Sequence, residues 1–230
     1  MTILAIETST QVCSAAWCED GQCVREQIHI HGSNHAALLP VFIEDILNYA
    51  NQQNWHADAV AVSVGPGSYT GLRIGLSTAK GLCYGWNIPL IPVPTLDILC
   101  TAATKIHSLN GILIPMIDAR RMEVYTCTYQ NTNNHLERLE KIQSKIVEDN
   151  QWIPSNQDSY YFGDGADKCR HILESNKCHY IEDIIPQASV MGALVEQQQY
   201  PMIKEKELAY YTPFYLKDFI AAPIHIKGLK

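Results

Sequence analysis

The run Gly65-Pro66-Gly67-Ser68-Tyr69-Thr70-Gly71-Leu72-Arg73-Ile74-Gly75 constrains the fold of this chain more than any other stretch. It follows an alternating apolar segment (57–64) that reads as a buried strand. It leads into an apolar, glycine-spaced segment (76–85) that reads as a helix. A strand, a tight glycine turn and a helix N-terminus bring unpaired backbone N–H groups together as an anion cradle. Two details oppose a phosphate loop: Pro66 has no N–H to donate, and no Gly-Lys-Ser/Thr follows at the required spacing. Thr70 also stands where the dinucleotide pattern needs its third glycine. The turn therefore reads as structural, and attention moves to the helix behind it.

That helix carries Gly71, Gly75 and Ala79 at i, i+4 and i+8, and Gly81 and Gly85 repeat the spacing. Each interior glycine costs roughly 1 kcal/mol relative to alanine, so another backbone is expected close by. It lies either inside the same subunit or across an interface. The preceding helix, expected over 36–51, has one apolar face of Leu39, Ile43, Ile46, Leu47 and Ala50. A second stripe holds Leu38, Val41, Phe42 and Tyr49. One face suits the sheet. The other is either a second internal contact or, with Gly71, Leu72, Gly75 and Ala79, a surface for a partner. On the partner reading, a charge at Phe42 or Gly75 abolishes association and leaves the monomer folded.

The formal net charge is -7, and no basic cluster exceeds a pair such as Arg120-Arg121. Direct gripping of nucleic acid normally needs a basic patch, so RNA is expected to be held mainly by a partner. The first residues lack a charged n-region, and no apolar run approaches the ~18 residues of a membrane span. The 8 cysteines include no Cys-x-x-Cys pair. A reduced, cytoplasmic setting is expected.

Strands are expected at 3–8, 12–18, 23–30, 57–64 and 90–93, with an Asp20-Gly21 hairpin turn and helices at 36–51, 71–85 and 95–105. After a junction at 106–111, strands follow at 112–117, 122–129, 136–142 and 160–162, with helices at 166–174 and 189–199. The order strand-strand-strand-helix-strand-helix occurs twice. It suggests an α/β chain of two actin-like halves, an N-terminal subdomain over 1–106 and a C-terminal one with its tail over 107–230.

Several segments then resemble one family in the right order. They are Ile3-Leu-Ala-Ile-Glu-Thr-Ser9, the glycine run continued through Leu76-Ser-Thr-Ala-Lys-Gly81, Val93-Pro-Thr-Leu96 and Asp118-Ala-Arg-Arg121. Gly163-Asp-Gly165 and Pro213-Phe-Tyr-Leu-Lys217 complete the set. Together they are similar to the TsaB (YeaZ) family, the non-catalytic partner subunits in bacterial synthesis of threonylcarbamoyladenosine beside the tRNA anticodon. The resemblance implies a duplicated actin-like ATPase (ASKHA) fold and pairing with a TsaD-like catalytic subunit through the two helices above. It further implies a TsaE-like ATPase in the complex, tRNA contact mainly through the partner, and a homodimer in isolation. In the catalytic relative a His-x-x-x-His pair binds the metal. Thr95 and Leu99 stand at those positions here, and neither supplies an imidazole ligand, so no catalytic metal is expected. Members of the family often carry a histidine before the Leu-Leu-Pro of the first helix, where this chain has Asn34 followed by His35.

Glu7, Ser9 and Thr10 end the first strand, where actin-like ATPases hold phosphate and magnesium. Asp118 takes the matching place in the second half, and Gly163 and Gly165 flank Asp164. These residues make either a nucleotide cleft or an inherited cleft that shapes loops without turnover, so no cofactor is expected to be consumed. His29, His31 and His35, and Cys169, His171, Cys178 and His179, invite a metal reading, but the expected elements scatter them. The competing class is an enzyme of the same fold, either a metallohydrolase or an ATP-using enzyme. The missing His-x-x-x-His and the lack of a nucleophile–base pair count against it.

Overall fold

The computed structural model describes residues 1–216 apart from Ser33, Asn134, Ser155 and Gln199. Lys217 of the late motif and the tail residues Phe219, Pro223 and His225 lie outside the described residues.

Strands β1 (Thr2–Glu7), β2 (Cys13–Glu19) and β3 (Gln22–His29) form an antiparallel meander. Asp20 and Gly21 both take positive φ (46° and 79°) at the hairpin turn, as a two-residue primed turn requires. Helix α1 (His35–Gln52), β4 (Ala59–Ser63), α2 (Tyr69–Trp86), β5 (Leu90–Val93) and α3 (Thr95–Ile106) follow. The sheet order is β3-β2-β1-β4-β5, with β4 parallel to both β1 and β5.

The second sheet is built on β6 (Gly111–Asp118), which β11 (Ser159–Phe162) and then β12 (Cys178–Tyr180) extend in parallel. On its other side the single strand expected over 122–129 is two: β7 (Glu123–Thr126) and β8 (Tyr129–Thr132). Both keep one register against β6, with Met116 opposite Thr126 and Leu113 opposite Tyr129. The break falls where Pro115, lacking an N–H, cannot complete the ladder; the Thr126 hydroxyl bonds its carbonyl instead at 2.8 Å. Strands β9 (His135–Arg138) and β10 (Gln143–Ile146) pair with β8 and β7. The helix expected over 166–174 is a 3-10 turn followed by α4 (Arg170–Leu173), and 188–197 is a 3-10 turn followed by α5 (Met191–Gln197). A last helix, α6 (Glu205–Tyr210), completes the described chain.

Side-chain alternation sorts these elements into five layers. Leu4, Ile6, Ala15, Trp17, Val60 and Val62 of the first sheet pack under α1 and α2 through Leu39, Ile43, Ile46 and Leu76. The opposite face, Ile3, Ala5, Ala16, Ala61 and Ile91, packs on α3 and α5, which in turn cover Leu113, Ile117 and Phe162 of the second sheet. The outer face of that sheet, Ile112, Ile114 and Tyr161, is closed by Cys169 and Leu173 around α4.

Element order assigned everything after residue 107 to the second half, yet the end of the chain returns to the first. Residues of 188–197 join the core beneath the first sheet. Leu90 and Ile203 exchange backbone hydrogen bonds of 2.9 and 2.8 Å, and the Phe214 N–H donates to Val64 O at 2.8 Å. The reason is coverage: without this return, Ala16 and Cys18 of β2 lose the apolar side chains of Val190, Met191 and Leu194 that complete their core.

Candidate functional site

The glycine stripe of α2 has two fates. A Cβ at Gly71 would overlap Thr8 O, and one at Gly75 would overlap Thr8 Oγ1. The Thr8 hydroxyl donates to Gly71 O at 2.8 Å. These glycines let α2 lie on the end of β1 inside one subunit. Gly71, Leu72, Gly75 and Ala79 are all buried, which corrects their placement on a partner surface: a charge at Gly75 breaks the fold rather than an interface. Gly81 and Gly85 have open space around them, and with Arg73, Ser77 and Tyr84 they form the exposed side of the helix. Tyr84 is 85% exposed. The helix starts on Ser68, whose side chain accepts from Gly71 N at 3.2 Å, and ends on Asn87 in the left-handed region.

On α1, Leu39, Ile43, Ile46 and Ala50 are buried as the first stripe requires. In the second stripe Val41 is 58% exposed, while Leu38 and Phe42 are half-buried against the same core. Tyr49 is engaged within the chain: its ring meets Trp55 edge-on at 5.7 Å, and the Arg25 guanidinium lies 4.9 Å over it. Arg25 in turn makes two hydrogen bonds to Asp45 (2.9 and 3.0 Å), and Gln27 a third at 2.7 Å. The side of α1 bearing Asp45 and Tyr49 therefore faces β3.

The cleft residues fall into two groups, and no hydrogen bond or ion pair among the described residues joins them. Glu7, Ser9 and Thr10 cluster at the end of β1. Glu7 is fully buried; its Oε1 accepts from Ser9 N at 2.5 Å, while Oε2 and the Ser9 hydroxyl find no partner. Burial pushes this carboxyl up to about 7, against the lowering effect of the hydrogen bond from Ser9 N. The Ser9 carbonyl accepts from Ser68 N at 2.6 Å, which ties the acid to the glycine turn. The Thr10 carbonyl meets His35 Nε2 at 2.8 Å, so His35 is a buried structural residue, apart from the exposed His29 and His31.

Asp118 ends β6, where Lys168 pairs with it. Its N–H donates to Asp164 Oδ1 at 2.9 Å. Burial raises the Asp164 carboxyl, and the Asp118 charge adds to this, while the Asp118 N–H and Lys168 oppose it. A side chain at Gly163 would overlap Met116 O, and one at Gly165 would stand 2.8 Å from Ile117 C. The space beside each glycine is thus taken by β6 itself. Two surface hollows of about 540 and 550 Å³ lie elsewhere, around Asn131 and Asp158 and around Tyr84 and Lys206. Among the described residues no three metal-ligating side chains stand close enough to hold an ion, and no helix is long and apolar enough to cross a membrane.

Thr95 and Leu99 are buried in α3. Between them lies a residue that sequence reasoning passed over. Asp97 accepts from Tyr129 OH (2.5 Å), Arg138 Nη2 (2.6 Å) and Tyr200 OH (2.9 Å), and so joins α3 to β8, to β9 and to the returning segment. Thr8 was missed as well; its role is defined only by the helix laid across it.

The family described as tRNA N6-adenosine threonylcarbamoyltransferase, TsaD, matches residues 29–223. The tRNA threonylcarbamoyladenosine biosynthesis protein TsaB of Bacillus subtilis is 31% identical over 214 residues, covering 91% of this chain and 90% of the relative. Its counterpart in Escherichia coli is 37% identical over 134 residues, 58% of this chain and 57% of the relative. The solved structure of YeaZ from Pseudomonas aeruginosa superposes with a TM-score of 0.76 at 24% identity, covering 93% of this chain and 99% of that one. Together with the family match, that likeness shows the two-subdomain, actin-like ATPase fold. On the family match and the near full-length similarity to TsaB, this chain is a member of the TsaB (YeaZ) family within the wider group that includes TsaD.

Proposed function

We propose that this chain is a non-catalytic subunit of the threonylcarbamoyladenosine machinery, binding a TsaD-like catalytic subunit and raising its activity. The observation that carries this reading is the pair Thr95 and Leu99, both buried. They stand where the catalytic relative is expected to place its metal-binding histidines, and an imidazole ligand has no substitute in threonine or leucine. The chemistry, transfer of a threonylcarbamoyl group to N6 of adenine beside the tRNA anticodon, then occurs on the partner. This chain acts by binding the competent partner conformation more tightly than the alternative.

The surface that suits this role is the exposed side of α2 at Arg73, Ser77, Gly81 and Tyr84, together with Val41 of α1. Two outward glycines with open space around them let a partner helix approach its backbone. The same face serves a homodimer when the partner is absent. A net charge of -7 supports tRNA contact mainly through the partner. A TsaE-like ATPase joins the assembled pair rather than the free chain, and this subunit turns over no nucleotide.

The test is to mix the purified chain with a TsaD-like subunit and follow association by multi-angle light scattering, assaying tRNA modification in parallel. A heteromeric species with activity that neither protein has alone is expected. Two separate proteins, or metal-dependent hydrolysis or ATP turnover by this chain alone, overturn the reading.

A further inference from the structure

All eight cysteines are free, and seven of them are buried; the exception is Cys23. Cys23 lies directly across the β2–β3 hairpin from Cys18, beside an irregularity in the ladder between Trp17 and Cys18. Directly opposed residues of an antiparallel pair have Cα atoms about 4.5–5.5 Å apart, inside the 4.4–6.8 Å range of disulfides. An exposed cysteine is therefore set directly opposite a buried one.

We propose that Cys18 and Cys23 form a reversible dithiol–disulfide pair whose oxidant is a hydroperoxide, Cys23 being the attacking thiol and Cys18 the resolving one. Their surroundings divide the roles. Cys23 is the exposed member and Cys18 the buried one; the neighbouring Cys18 thiol holds the Cys23 thiol below its ordinary range, and Lys105 acts in the same direction, while partial burial and Glu26 oppose. A thiolate so placed is the species that reacts. It attacks one peroxide oxygen, the O–O bond breaks, and the leaving hydroxide or alkoxide takes the proton that Cys23 gave up. Cys18 then attacks the Cys23 sulfenic sulfur; the S–S bond forms, the S–O bond breaks, and hydroxide leaves as water with the Cys18 proton. In balance, two thiols lose two electrons and the hydroperoxide is reduced to water and water or alcohol.

The pair is connected to the fold through α5. A side chain at Gly192 would meet Cys18 Cβ at 2.7 Å and its Sγ at 3.1 Å, so the backbone of α5 rests on Cys18. Cys18 belongs to the core shared with Met191 and Leu194, on the sheet face away from α1 and α2. Turning Sγ toward Cys23 withdraws it from Gly192, and oxidation is read out as looser packing of α5.

The reduced full chain is treated with one equivalent of hydrogen peroxide, free thiols are alkylated, and the protein is cleaved after glutamate without reduction. Cleavage at Glu19 puts Cys18 and Cys23 on separate peptides unless a disulfide joins them. The expected result is a Cys18–Cys23 linked peptide 2 Da lighter than its parts, restored by dithiothreitol, with faster amide exchange over residues 191–197. Cys18→Ala is expected to stop at a Cys23 sulfenic acid trapped by dimedone. Cys23→Ser, a change at an exposed position, is expected to lose at least tenfold in the rate of thiol consumption. Unchanged thiol loss in Cys23→Ser, or wild-type oxidation ending in sulfinic acid or chain-to-chain disulfides without the linked peptide, overturns the proposal.

Discussion

Gly75→Ala and Gly81→Ala add the same methyl group to the same helix and are expected to change stability in opposite directions. At Gly75 the new Cβ falls on Thr8 Oγ1, an atom held by its hydrogen bond to Gly71 O. Either α2 lifts from β1 or Thr8 leaves its rotamer and loses that bond. Overpacking of this kind costs about 1–3 kcal/mol and a buried hydrogen bond about 1 more, while the alanine returns roughly 1 kcal/mol of helix propensity. The net is a loss of about 1–3 kcal/mol. At Gly81 nothing stands within 4 Å, so only the propensity term acts and the variant gains about 0.5–1 kcal/mol. For a chain of this size each kcal/mol shifts Tm by about 2–4 °C, so the two variants should melt several degrees apart. Urea unfolding followed by circular dichroism measures the difference. Running it at two protein concentrations separates helix stability from self-association through the Gly81 face. A Gly75→Ala protein as stable as wild type, or a destabilised Gly81→Ala, refutes the division of the stripe into an inner and an outer pair.

Other outcomes follow from the same contacts. Glu7 prefers its neutral form in the folded chain, so its contribution to stability is full below pH 4.5 and is lost as pH rises through about 7, a change of at most roughly 3 kcal/mol. Glu7→Gln should flatten the fall in Tm between pH 5 and 8, and parallel curves for the two proteins contradict the assignment. Asp97→Asn leaves two tyrosine hydroxyls and Arg138 competing for one neutral acceptor, and is expected to cost about 2–4 kcal/mol in thermal unfolding. Arg73 stacks on Tyr69 at 3.9 Å and its Nε donates to Tyr215 OH at 3.0 Å. Arg73→Ala should therefore speed amide exchange over residues 212–216 with little change in Tm.

How much of this was legible in the residues depends on the range of the forces involved. Helices α1 and α2 and the first-sheet strands are written in apolar periodicity and in the Asp20-Gly21 and Gly65–Gly75 turns, all local signals. Strand β10 (Gln143-Ser-Lys-Ile146) and β12 (Cys178-His-Tyr180) are short and largely polar; pairing with β7 and β11 makes them strands, and no window of sequence contains that partner. The break opposite Pro115 is a case between these. The proline is visible in the sequence, but which strand lacks its N–H depends on register. Spacing correctly marked α2 as a helix with close neighbours. It could not say that the neighbour of Gly71 and Gly75 is Thr8, more than sixty residues earlier, and so it placed inner glycines on an outer surface. Asp97 had no signal of its own, since its three donors come from distant parts of the chain.

The return of residues 188–216 to the first sheet sets an order on biosynthesis. As the chain leaves the ribosome, β1 to α3 emerge together, yet the face of β2 and β3 that α5 covers stays uncovered until residue 197 follows. At about 5–20 residues per second that interval is on the order of 5–20 s. During it the nascent chain presents Ala16 and Cys18 on an open sheet face, and the Val64 carbonyl still lacks the Phe214 N–H. The first sheet thus gains the second of its covering layers only after residue 197 has been made.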